Sequence, residues 1–85
     1  MTLVIADEAP TDPVVTGYDK AHIKLYLRLL DADDDNAPWD EVAKALLAID
    51  PVAEPDRAKR RHQTHLARAR WMTEEGYLQV LKDGL

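Results

Sequence analysis

Apolar residues recur with a helical period over most of the chain. Between about residues 17 and 32, Ile23, Tyr26, Leu27 and Leu30 gather on one side of a helix, and Tyr18, His22, Leu25 and Leu29 form a second stripe beside them. Lys20, Lys24, Arg28 and Asp31 fill the remaining arc. The apolar arc is about 200° wide, where a surface helix needs only about 100°. This helix therefore either packs on two sides or offers one stripe to another protein. Thr16 or Asp19 caps its start.

Pro38 suits the first position of a second helix, where its missing N–H costs nothing. Trp39, Val42, Ala43 and Leu46 share one face of it, with Ile49 at the edge, and Asp40, Glu41 and Lys44 lie opposite. Asp50-Pro51 ends it, since the residue before a proline resists the α region. Pro55 opens a third helix running to about Trp71, with Asp56 in its positive first turn. Its core face is Ala58, His62, His65, Leu66, Ala69 and Met72. Thr73 suits the cap of a last helix whose apolar side is Tyr77, Leu78, Val80 and Leu81. The pattern predicts an all-α fold, a small four-helix domain over residues 17–85, behind a flexible N-terminal arm, residues 1–16, which holds Pro10, Pro13 and three acids. The patch Leu3-Val4-Ile5 in that arm could pair as an edge strand or enter a groove, but a frayed tail is expected.

Composition removes several chemistries. The chain has neither Cys nor Ser, which excludes a disulfide scaffold, a thiolate zinc site and the two commonest nucleophiles. His62 and His65 are three apart, but zinc needs two more ligands on that face, so packed core histidines are expected. Asp31-Ala-Asp33-Asp-Asp35 superficially resembles a calcium loop, yet Asn36 and Val42 stand where glycine and glutamate are required. With three scattered glycines there is no phosphate-cradling loop, and neither an enzyme nor a cofactor is expected. The longest apolar run is five residues, Ala45 to Ile49, so no membrane span is expected, and Asp7 and Glu8 close the short N-terminal apolar patch before it can act as a secretory signal. A cytoplasmic location follows.

Charge changes the picture most. Residues 1–56 hold 13 acids and 4 bases, whereas residues 57–70 hold six bases and no acid. On the third helix Arg57, Arg60, Arg61, Thr64 and Arg68 fall within an arc of about 100°, with Trp71 on its margin. A helix, a turn and a basic helix make the outline of a helix-turn-helix, with the second helix as the DNA reader. The turn is longer than usual, and the acidic segment nearby opposes phosphate binding. The arc can accordingly be read as a DNA contact, a protein-docking face or a solvated face paired with the chain's own carboxylates. Trp39 and Tyr26 read as core; Trp71, beside arginines, has the composition of an interface anchor.

The segments Gly17 to Asp31 (GYDKAHIKLYLRLLD) and His65 to Tyr77 (HLARARWMTEEGY) resemble a proteobacterial family, first described as a domain of unknown function, of extended-turn helix-turn-helix proteins. The resemblance covers roughly residues 15–82. A stand-alone acidic copy is similar to the QseM-like antiactivators of integrative and conjugative element transfer. The resemblance implies that such a copy occupies the N-terminal domain of an FseA-like transcriptional activator, and that it also blocks a LuxR-type quorum-sensing regulator. It further implies that DNA binding is lost, and that no small-molecule substrate or membrane is involved. The surplus apolar arc supplies a matching surface: Tyr18, His22, Leu25 and Leu29, with Trp71, Met72 and Tyr77 as additions. The alternative is a small DNA-binding helix-turn-helix regulator using residues 55–71, with Arg57, Arg60, Arg61, Thr64 and Arg68 as contacts.

Overall fold

The computed structural model describes residues 4–76, 78, 79 and 81. Thr16 begins the first helix as a reciprocal cap: its hydroxyl accepts from the Asp19 N–H, and the Asp19 carboxylate accepts from the Thr16 N–H at 2.8 Å. Helix α1 is Gly17–Ala21, and after one irregular residue, His22, the chain continues as α2, Ile23–Asp34. Asn36 then turns the chain with φ 58°, a left-handed conformation that asparagine tolerates. Helix α3 is Trp39–Leu46, with Pro38 just outside it, Asp40 and Glu41 in its first turn and Lys44 in its last. These charges oppose the helix dipole at each end. Leu47 and Ile49 both turn inward past α3 because Ala48 between them adopts φ 52° and stays exposed. Asp50 closes the connection by accepting from the Val52 N–H at 2.8 Å. Helix α4, Pro55–Trp71, follows with Pro55 in the first turn.

Helices α2, α3 and α4 pack mutually around Leu25, Tyr26, Leu29, Val42, Ala43, Leu47, Ile49, Ala58, Leu66 and Ala69. Helix α4 brings two alanines with no exposed surface, Ala58 and Ala69, so α2 and α3 lie close against its backbone. His62 and Met72, expected in its core face, are half-buried, as are Trp39 and Leu46 on α3. The described residues thus form the all-helical domain the pattern predicts.

Three local expectations are corrected. Of the two stripes on α1–α2, the one expected to be free is the core: His22, Leu25 and Leu29 are buried, while Leu27 of the other stripe is 56% exposed. The arc that faces the core is centred between His22 and Leu29, with Ile23 and Leu30 half-buried on its flank. Thr73 does not start a separate helix; α4 runs on into a π-helical turn, Met72–Gly76, in which the Thr73 hydroxyl donates to the Arg70 carbonyl at 2.7 Å. A Cβ at Gly76 would stand 2.8 Å from the Trp71 ring, so glycine is needed where that turn folds back. Residues 78, 79 and 81 are helical, while Tyr77, Val80 and Leu3 lie outside the described residues.

The arm is the third correction. Residues 4–16 are not loose: Ile5 packs on the core, the Val4 carbonyl lies 2.9 Å from His22 Nε2, and the Ala6 and Ala9 N–H groups donate to Tyr18 Oη and Thr64 Oγ1. The Gln79 side chain accepts from the Val15 N–H and donates to the Pro13 carbonyl. Between these ties the arm arches over α4, enclosing an open cleft of about 440 Å3 between residues 9–13 and Thr64, Ala67, Arg68 and Trp71. Proline and acid content predict a segment unable to bury itself, but its partners are distant side chains, Tyr18, His22, Thr64 and Gln79 among them, that local sequence does not display.

Candidate nucleic-acid interface

Helices α3 and α4, joined by residues 47–54, follow one another as helix, long turn and helix and pack together. Helix α4 presents two different basic sides. The side carrying the expected arc is occupied by the protein itself. Arg68 is buried and bidentate on buried Asp19, Nε to Oδ1 at 2.9 Å and one terminal nitrogen to Oδ2 at 2.7 Å. Its remaining donors hold the Asp12 and Val14 carbonyls, and its guanidinium stacks 3.8 Å from the centre of the Trp71 ring. Arg61, also buried, donates to the Leu47 carbonyl beyond the C-terminus of α3 and to Asp7. Thr64 is taken up by the Ala9 N–H. Arg61, Thr64 and Arg68 are therefore structural in this arrangement, which corrects their reading as free contacts. Only Arg57 and Arg60 of the arc stay exposed.

Arginine is normally outside, but one whose planar fork is fully matched by a carboxylate and carbonyls can be buried. Burial pushes the Asp19 carboxyl up, but the hydrogen bonds from Arg68, the Thr16 N–H and Tyr26 pull it further down, to about 2. The same contact and burial push the Tyr26 hydroxyl well above its ordinary value. His65, buried beneath, donates from Nδ1 to the Arg61 carbonyl at 2.7 Å, so its Nε2 accepts from Tyr18 Oη at 2.5 Å. Burial holds its pKa below the usual 6.5.

Both groups have folded-state pKa values below their unfolded ones, so both stabilise the fold at neutral pH and lose that contribution as pH falls. The loss should begin below about pH 6.5 with His65, and Asp19 should remove about 2 kcal/mol more between about pH 5 and 2. Urea midpoints at pH 7, 5 and 3 check this, and D19N should flatten the lower limb. A midpoint that stays constant from pH 7 to 3 contradicts it.

The side of α4 that faces away from the core is open and shares Arg60 with the edge of the arc. Lys59, Arg60, Gln63, Ala67 and Arg70 are exposed along it, with Asp56 at its beginning. The Lys59 ammonium lies 5.5 Å over the Trp39 ring, and Arg70 pairs with Asp33 at 2.7 Å, an exposed contact that contributes little. Lys59, Gln63 and Arg70 were missed from the sequence. A helical wheel points to Gln63, which lies with Ala67 and Arg60 opposite Ala58, His65 and Ala69, whereas Lys59 and Arg70 lie beside buried Leu66 and carry no such signal.

The expected docking surface does not exist as drawn. His22, Leu25 and Leu29 are core, and Tyr18 is half-buried, stacked on His22 with ring centres 3.8 Å apart. Trp71 and Met72 are half-buried, and Tyr77 lies outside the described residues. Residues 2–82 match the family RovC_DNA-bd, described as "T6SS, Transcription factor, DNA binding domain". No curated protein matches the chain. The expectation that DNA binding is lost is overturned by that match, because the family is one of DNA-binding domains. The match covers nearly the whole chain, arm included, and does not extend to antiactivation, conjugative transfer or quorum sensing. With the α3–turn–α4 geometry and the open basic side of α4 beside it, the chain belongs to the RovC_DNA-bd family of transcription-factor DNA-binding domains.

Proposed function

We propose that this domain is a DNA-binding transcription regulator that lays the open side of α4 in a major groove. The observation that carries the reading is that side itself: Lys59, Arg60, Gln63 and Arg70 exposed around the small Ala67. Seventeen helical residues span about 25 Å, ample for the groove. Glutamine presents a donor and an acceptor suited to the adenine edge, arginine reaches guanine or phosphate, and an alanine lets the helix approach closely. The net charge of −5 keeps bulk attraction to DNA weak, so affinity should depend on sequence more than on charge. The antiactivator reading needs a free apolar stripe, and the stripe it named supports the core instead.

The test is selection from a randomised duplex pool, followed by titration of the enriched duplex at 50 to 200 mM salt. Binding should weaken with rising salt, and R60A should lower the log–log slope by about 1, the share of the one phosphate that Arg60 neutralises. Q63A should cost about 1–3 kcal/mol and relax preference at one base position. No enrichment, and no binding at the lowest salt, would refute the proposal.

A further inference from the structure

The arm is held to α4 in two different ways. Residues 12–16 are fastened by buried groups, Arg68 and Asp19. Ile5 packs on the core, but residues 6–8 are held by the exposed Ala6–Tyr18 hydrogen bond and by ion pairs whose carboxylates are half exposed or more. Asp7 Oδ1 alone accepts from both Arg57 Nε at 2.8 Å and an Arg61 terminal nitrogen at 2.6 Å, and Glu8 lies 3.5 Å from Arg60. Arg57 and Asp7 are each about half exposed, and Arg60 and Glu8 about two-thirds. The Arg57 and Arg60 pairs are therefore weak and screened by salt, whereas the Arg61 guanidinium of the third pair is buried. The fit is also incomplete: Arg61 Nε is buried with no partner among the described residues, and three guanidiniums in one arc face two arm carboxylates, with Glu54 taking part of Arg57.

We infer that residues 6–8 are an exchangeable acidic strap whose Asp7 and Glu8 carboxylates stand where DNA phosphates bind, so that Arg57 and Arg60 form a phosphate-binding flank of α4 uncovered when the strap lifts. The inference rests on the DNA-binding reading above. Charge-assisted bonds from arginine to a carboxylate or to a phosphate are of the same kind, so the exchange trades like for like. Phosphate contacts beside the reading helix fix its register on the duplex without carrying sequence information. The strap therefore acts as an internal competitor that lowers affinity for all DNA alike and leaves base preference unchanged. Its far end stays anchored through Arg68, so it re-covers α4 when DNA leaves.

Three full-length proteins test this: the wild type, D7N/E8Q, and D31N/D34N, which removes the same charge from exposed positions on α2. Each is titrated with the enriched duplex at low salt. D7N/E8Q should bind about fivefold more tightly than D31N/D34N, and adding R57A to it should abolish that gain. In the wild type, hydrogen exchange at the Ala6 amide, bonded to Tyr18 Oη, should accelerate when DNA is added. This second measurement decides the matter if D7N/E8Q misfolds. Equal affinities for the two double variants, or an Ala6 amide equally protected with and without DNA, overturn the strap while leaving DNA binding intact. No binding by any of the three overturns both.

Discussion

Replacing Arg68 by alanine is expected to remove most of the domain's stability. The change leaves Asp19 buried without its bidentate partner, releases the Asp12 and Val14 carbonyls and strips the Trp71 ring of its stacked cation. Breaking a buried pair from one side costs about 3–5 kcal/mol, because the remaining charge stays desolvated. A chain of this length has about 4–13 kcal/mol in total. Urea unfolding of R68A should therefore show a sharply lowered midpoint or no folded baseline. R68A/D19N should recover part of the loss, since it removes the stranded charge. The outcome separates two roles for one arginine: as a free DNA contact, its loss would weaken binding and spare the fold. A stability of R68A within about 1 kcal/mol of the wild type would contradict the structural role.

The second large effect concerns the stripe on α1–α2. Leu29 is 1% exposed, between α3 and α4, and L29A should cost about 2–5 kcal/mol through lost burial and the cavity left behind. L27A, at a residue 56% exposed, should change stability by no more than about 0.5 kcal/mol. Thermal unfolding of the pair is enough to check this. If instead L29A folded like the wild type and L27A did not, the register of α2 against the core would be wrong.

These two positions show where the helical period was informative and where it stopped. The helices over 17–34, 39–46 and 55–71 follow to within a few residues from spacing and from Thr16, Pro38 and Pro55 at their starts, but α3 ends at Leu46, ahead of the Asp50-Pro51 break expected to end it. The core face of α4 is legible for Ala58, His65, Leu66 and Ala69. On α1–α2 the apolar arc is so wide that period alone cannot say which half turns inward. The candidate interface was half legible for a related reason. An excess of arginine announces a basic helix, but charge was equated with exposure, and that equation fails wherever a carboxylate is supplied from elsewhere.

Helix boundaries, fold class and the concentration of cations on one helix are local properties, set by backbone propensity, capping and spacing, and they can be read along the chain. Which arginines are free is not local. Arg68 meets Asp19 across 49 positions, and Arg61 meets Asp7 across 54. Those partners come together only when α1 and the arm close onto α4. Desolvation then makes the pairing obligatory for Arg68 and leaves Arg60 in solvent, two fates for one residue type on one helix that only the packed molecule assigns.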